Sequence, residues 1–234
     1  MGTVYDIIRP GFFSRQVAAD GRRMEFDYRN EVIVINKVPV DFVFIGDSIT
    51  HLWELNAYFT GKSGLVLNRG IGGDTTEYAL KRLEADAIQL KPKYIVSLIG
   101  INNSWCTSGD FMGNKGTPVE PVIDQIVSDI AEMAALSKKN NIQFIICSIL
   151  PTNAKSLAEP HRINEVVCGA NARLKKLALE NNLIYVDYFS HFVSEDGKTL
   201  KDGLTYDGCH PHVAGYNLMA KILKETLSAN GIEI

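Results

Sequence analysis

Long apolar runs are missing from this chain, and so is any excess of positive charge. No stretch of 18 consecutive apolar residues occurs, so no segment is a candidate for crossing a bilayer as a helix. Lys and Arg number 24 against 27 Asp and Glu, a net charge of −3. Without a basic field, nucleic acid and anionic membrane surfaces are poor partners. Cysteine is sparse: Cys106, Cys147, Cys168 and Cys209 lie far apart, and none forms a metal-type Cys-x-x-Cys pair. A chain of 234 residues can bury a core without disulfides. Cys147 sits in an apolar, strand-like run and reads as a buried free thiol. Repeats, low-complexity tracts and Pro/Ser linkers are also lacking. Met1–Arg9 mixes acid and base residues without the apolar stretch of a signal peptide, so a cytoplasmic protein is expected.

What remains is ordinary in bulk, with 46% apolar and 22% charged residues, as in a soluble globular enzyme. Short apolar runs recur at Val40–Ile45, Leu65–Leu67, Tyr94–Ile99, Phe144–Ile149 and Ile184–Val186. Their apolarity is continuous rather than alternating, the pattern of parallel strands covered on both faces. Helical stripes lie between them. Thr76, Leu80, Leu83, Ala87 and Leu90 form one, with Asp74 and Glu77 as a capping-box-like start. Ile123, Ile126, Ile130 and Met133 form a second, opened by Pro121, and Ile163 to Leu177 a third. Val213, Tyr216, Ala220, Leu223 and Leu227 form the last, entered through Pro211. Strict alternation of strand and helix predicts an α/β fold with a parallel sheet between helical layers.

Residues 1–234 are expected to form one domain, with 1–39 as a helical extension packed on it. Ser14–Asn30 reads as an amphipathic helix that Glu31–Asn36 either continues or follows as a short strand. Asn102–Pro121, with three glycines, reads as a long loop at a strand's C-terminal end, where open α/β sheets place ligands.

Polar motifs follow the strands: Gly46-Asp47-Ser48, Ile71-Gly72-Gly73-Asp74 and Gly100-Ile101-Asn102-Asn103, with Asp207-Gly208-Cys209-His210 near the C-terminus. In a parallel sheet all strand ends open on one edge, so these pieces can converge. Ser48 suits a nucleophile at a strand-to-helix junction, although a serine there is equally a helix cap, and the Gly-x-Ser-x-Gly elbow is absent. His210 is the best candidate base, with Asp207 three residues earlier to fix its tautomer. Oxyanion donors would be the Gly73 N–H, the Asn102 side-chain amide and the Ser48 N–H. The glycines match no phosphate-binding fingerprint, and no P-loop lysine follows them.

Taken together, these four blocks resemble those of the SGNH hydrolases, also called GDSL esterases/lipases, over residues 40 to about 228. The stretch around Asn68–Thr76 is most similar to the platelet-activating-factor acetylhydrolase-like branch, which includes carbohydrate acetylesterases. Asn103, Ile101 and Cys209 depart from residues frequent in that family; Cys209, beside the base, suggests sensitivity to thiol reagents. The resemblance implies a three-layer α/β/α sandwich with five parallel strands in flavodoxin-like order. It also implies a serine esterase needing no metal or cofactor, with Ser48, Asp207 and His210 catalytic and Ser48, Gly73 and Asn102 forming the oxyanion hole. Short-chain, acetyl-type esters or acetylated sugars are the expected substrates, with Asp47, Trp105 and Phe111 as candidate substrate contacts. A thioesterase or lysophospholipase with the same triad, and a silent flavodoxin-like binding module, are the rival readings. Oligomeric state is not legible.

Overall fold

A computed structural model describes residues 8, 18–109, 113, 115–154 and 158–234. Five strands, β1 (Val40–Gly46), β2 (Leu65–Gly70), β3 (Tyr94–Leu98), β4 (Gln143–Cys147) and β5 (Ile184–Val186), form one sheet in the order β2-β1-β3-β4-β5. Every pairing is parallel. All seven residues of β1 are buried, because this strand is flanked by neighbours and covered on both faces. The parallel sheet expected from the alternation, and the three-layer α/β/α sandwich that the resemblance implies, are present. Its strands match the apolar runs, except that β2 continues through the polar Asn68 and Arg69.

The longer helices are α1 (Ala18–Ile35), α3 (Thr76–Asp86), α5 (Val119–Lys139), α6 (Pro160–Glu180) and α8 (Val213–Ala229). The one-turn helices α2 (Ser48–His51), α4 (Ile101–Ser104) and α7 (Phe189–Phe192) sit at junctions. Helices α1, α3, α5 and α6 adjoin one another in that order. Right-handed crossovers put α3, α5 and α6 on one face, whereas the step from β1 back to β2 runs the other way. Its connection carries Trp53, which stacks on Tyr216 of α8 with centroids 5.5 Å apart. The reversal of direction between β1 and β3 opens a crevice at their C-terminal ends, the usual ligand position in such sheets.

Four local expectations are decided or changed. Residues 31–35 continue α1, since Ile33 packs into the core; residues 14–17 lie outside the described residues. Helix α3 is capped at Thr75 rather than by an Asp74–Glu77 box, because the Asp74 carboxylate is committed to Arg82. The stretch 102–121 is not one loop. It opens in α4 and a 3-10 turn, Trp105–Thr107, and Pro121 falls inside the first turn of α5, where a missing N–H is harmless. Helix α8 begins at Val213, and His212 rather than Pro211 caps it, its Nδ1 accepting from Ala214 N at 3.1 Å.

Candidate active site

Helix α2 starts directly at the end of β1, with Ser48 as its first residue. The capping role falls to Asp47, whose Oδ1 accepts from Ile49 N at 2.9 Å, so the Ser48 hydroxyl is free of it. That hydroxyl lies 2.9 Å from His210 Nε2, across 162 residues of sequence. His210 Nδ1 lies 2.7 Å from Asp207 Oδ2. A carboxylate can only accept, so Nδ1 carries the proton and Nε2 is left as the acceptor facing Ser48. The other Asp207 oxygen accepts from His210 N at 2.8 Å and Cys209 N at 3.0 Å. Desolvation works against the Asp207 carboxylate, but these bonds outweigh it and hold the carboxyl below its ordinary value. The turn carrying Asp207 and His210 is tied to the body: Thr152 Oγ1 and Asn153 N both donate to Gly208 O.

Asn102 stands on α4, at the end of β3. Its Nδ2 donates to Asp74 O at 2.8 Å, and its Oδ1 accepts from the Trp105 indole N–H at 2.7 Å. A carbonyl can only accept and an indole can only donate, so these partners fix which way the amide faces. Among the described residues, the other N–H of the amide has no partner. Asp74 follows Gly73, whose φ of +80° requires a residue without a side chain. Gly72 lies against Ser48: a Cβ added there would come 3.8 Å from Ser48 Cβ and 3.7 Å from His51 Nδ1. His51 Nδ1 in turn accepts from Gly72 N at 3.2 Å.

Beneath these turns lies a buried charge network that the sequence reading did not find. Arg82, fully buried, donates to Asp74 Oδ2 at 2.8 Å, to Arg69 O at 2.8 Å and to Gly46 O at 3.1 Å. One guanidinium thus ties the ends of β1 and β2 to the residue that receives Asn102. Asp86 joins it to Arg23 of α1, and Asn30 of the same helix donates to Ala85 O at 3.0 Å. Asn103 caps the start of α3, with Oδ1 accepting from Thr76 N at 3.1 Å and Nδ2 donating to Thr76 Oγ1 at 2.9 Å. Arg82 and Asp86 stand four apart on α3, a spacing visible in sequence; their burial is not.

Sequence comparison places this geometry. The profile of the GDSL-like lipase/acylhydrolase family matches residues 44–218, which include Ser48, Gly73, Asn102, Asp207 and His210. The chain belongs to this family. Among relatives, the alpha1 subunit of human platelet-activating factor acetylhydrolase IB is 30% identical over 219 residues, covering 91% of this chain and 86% of that protein. The crystal structure of a GDSL-like lipase from Bacteroides thetaiotaomicron superimposes with a TM-score of 0.73 at 26% identity, covering 88% of this chain and 97% of the other. An acetylxylan esterase from Geobacillus stearothermophilus shares the fold with a TM-score of 0.61 at 22% identity, covering 81% and 95%. This GDSL-family chain is a carboxylic ester hydrolase.

The candidate substrate contacts separate. Asp47 is 1% exposed and lies beneath Ser48 as a cap, so the structure offers it no route to a substrate. Burial raises its carboxyl to about 7. Trp105 is half-buried and its indole N–H is committed to Asn102. Phe111 lies outside the described residues. Cys209 is buried, and desolvation pushes its thiol up to about 12, which removes the thiolate that sensitivity to alkylating reagents requires. Among the described residues, no helix is long and apolar enough to cross a membrane.

Proposed function

We propose that Ser48 is the nucleophile of a two-step hydrolysis of short-chain, acetyl-type esters. The observation that carries this reading is the row Ser48 Oγ–His210 Nε2–Asp207 Oδ2, with spacings of 2.9 and 2.7 Å. Nε2 takes the hydroxyl proton as Ser48 Oγ attacks the ester carbonyl, while Asp207 steadies the imidazolium that forms. The carbonyl oxygen, now negative, is met by the free N–H of Asn102 and by the backbone N–H groups of Gly73 and Ser48. Collapse of the tetrahedral adduct expels the alcohol, which takes the proton from Nε2 and leaves Ser48 acylated. Water then gives a proton to the same nitrogen and attacks the acyl group; as that adduct collapses, Nε2 returns the proton to Ser48 Oγ and the acid leaves. No step calls for a metal or cofactor.

The preference for acetyl-type esters draws support from the relatives named for platelet-activating factor acetylhydrolase activity. The decisive experiment is Ser48→Ala with 4-nitrophenyl acetate, together with a fluorophosphonate probe on the parent protein. Loss of turnover, with label mapped to Ser48, is the expected result; undiminished turnover in the variant would sink the mechanism. A series from acetyl to palmitoyl esters, with an acyl-CoA alongside, tests the substrate class. A rise in kcat/KM with chain length, or a preference for the thioester, would replace this reading with a lysophospholipase or a thioesterase.

A further inference from the structure

A groove of about 320 Å³ lies between α1, residues 51–56 and the outer edge of β2. Arg22, Arg29, His51 and Arg69 line it, and Glu54 is the one acid among its walls. The ion pairs around it are unevenly shared. Arg23 takes Asp27 and Asp86, Arg82 takes Asp74 and Asp86, and Arg29 takes Glu25. Among the described residues, no carboxylate comes within ion-pairing distance of Arg22 or Arg69, and the buried Nε of each has no hydrogen-bond partner. Both guanidinium groups instead lie against the ring of Phe26, at 5.3 and 4.9 Å from its centre. Arg69 is 2% exposed and, among the described residues, donates only to the neutral acceptors Asn68 O and Asn30 Oδ1.

A guanidinium withdrawn from water is costly; Asp86 attracts Arg69 only from beyond ion-pairing distance, and the ring contact recovers only part of the cost. Desolvation by burial accordingly lowers Arg69 to about 10. The groove also adjoins the reacting centre. His51 forms part of its wall, and Gly72 separates His51 Nδ1 from Ser48 Cβ by little more than the width of one residue. Since Nδ1 accepts from Gly72, the neutral ring keeps its proton on Nε2, a second donor type beside the arginines.

We propose that this groove is an anion site, holding a carboxylate, phosphate or sulfate borne by the ester substrate or supplied as a free ion. In the first case the enzyme selects esters with an acidic group beyond the scissile bond, which deepens the ester-hydrolase reading and rests on it. In the second case the site stands independently of that reading.

Two measurements test it, on the parent protein and on Arg22→Gln, a half-buried position chosen because Arg69→Gln risks the fold. The first compares kcat/KM for 3-acetoxybenzoate and its uncharged counterpart 3-acetoxybenzamide at low salt. The second is the change in melting temperature on replacing chloride by inorganic phosphate at equal ionic strength. For a substrate-borne anion the acidic ester is favoured by about tenfold, and Arg22→Gln brings the ratio toward one. For a free anion the ester ratio is one, and phosphate raises the parent's Tm by roughly 2–4 °C but not the variant's. A ratio of one with no phosphate shift, or any preference or shift that Arg22→Gln leaves intact, overturns the proposal. If neither ester is turned over, the phosphate comparison alone decides it, and fluorophosphonate labelling of Ser48 decides the ester-hydrolase reading separately.

Discussion

The Trp105 indole N–H donates to Asn102 Oδ1 at 2.7 Å and leaves that amide one orientation, with its nitrogen toward Asp74 O and one N–H to spare. Trp105→Phe keeps an aromatic ring but removes the donor, leaving Oδ1 unpaired and the amide free to rotate. A hydrogen bond of about 1–1.5 kcal/mol corresponds to a fall in kcat of roughly five- to tenfold, with KM little changed. Asn102→Ala, which removes the amide itself, should cost about 10²–10³ in kcat. Steady-state kinetics on both variants check this, and a loss in Trp105→Phe that falls wholly on KM would point to a substrate contact instead.

Asp47 titrates the fold. Burial raises its carboxyl from an ordinary 3.8 to about 7, so the folded chain holds this proton more tightly than the unfolded chain does. The stability contributed by neutral Asp47 is present in full below about pH 4 and is lost as pH rises through about 7. Asp47→Asn keeps an oxygen to accept from Ile49 N and has nothing to titrate. Melting curves across this window should show the parent losing stability relative to Asp47→Asn as pH rises; parallel curves would show that Asp47 is ionised throughout.

Two neighbouring glycines should respond very unequally to substitution. A methyl on Gly70 would meet His51 N at 2.2 Å and Thr50 C at 2.6 Å, both backbone, whereas one on Gly72 makes only ordinary contacts. Gly70→Ala is expected to destabilise the protein by about 1–3 kcal/mol or more, and Gly72→Ala by less than about 1 kcal/mol. Urea titration of the pair measures both.

Thiol chemistry should bypass the base. Cys106 is exposed, while burial holds the Cys147 and Cys209 thiols near 12. Brief iodoacetamide treatment of the native protein should alkylate Cys106 and leave Cys209 intact by peptide mapping, with recovery of unmodified Cys209 above about 90%. Rapid loss of Cys209 would show that the turn holding Asp207 and His210 opens readily.

Much of this architecture was legible before any coordinates. Buried parallel strands must be continuously apolar, so four of the five matched their runs closely. The exception is instructive: β2 runs on through Asn68 and Arg69 because Asn68 Nδ2 donates to Thr50 O and Trp53 O, while Arg69 turns to the side-chain oxygen of Asn30 on α1. Polar residues bonded to backbone carry no periodic signal. The same holds for the site. Asp207 and His210 stand three apart and are readable as a pair, as are the short motifs at strand ends. Asp47 and Trp105 belong to residue types that contact ligands, and only packing shows that one caps α2 and the other also holds Asn102. Arg82 was invisible for a similar reason: an arginine on an amphipathic helix ordinarily faces water, and nothing local says that this one lies beneath three loops.

The hydrogen bond from Tyr216 Oη to Ile49 O, 2.8 Å long, fastens α8 to the helix that bears Ser48. During synthesis the serine leaves the ribosome long before its base and before the helix that clasps it. Under the proposed mechanism, Ser48 is expected to stay an ordinary alcohol until α8 docks. Reactivity toward a fluorophosphonate should then double as a clock for the docking of α8, silent before it and switched on once His210 reaches Ser48.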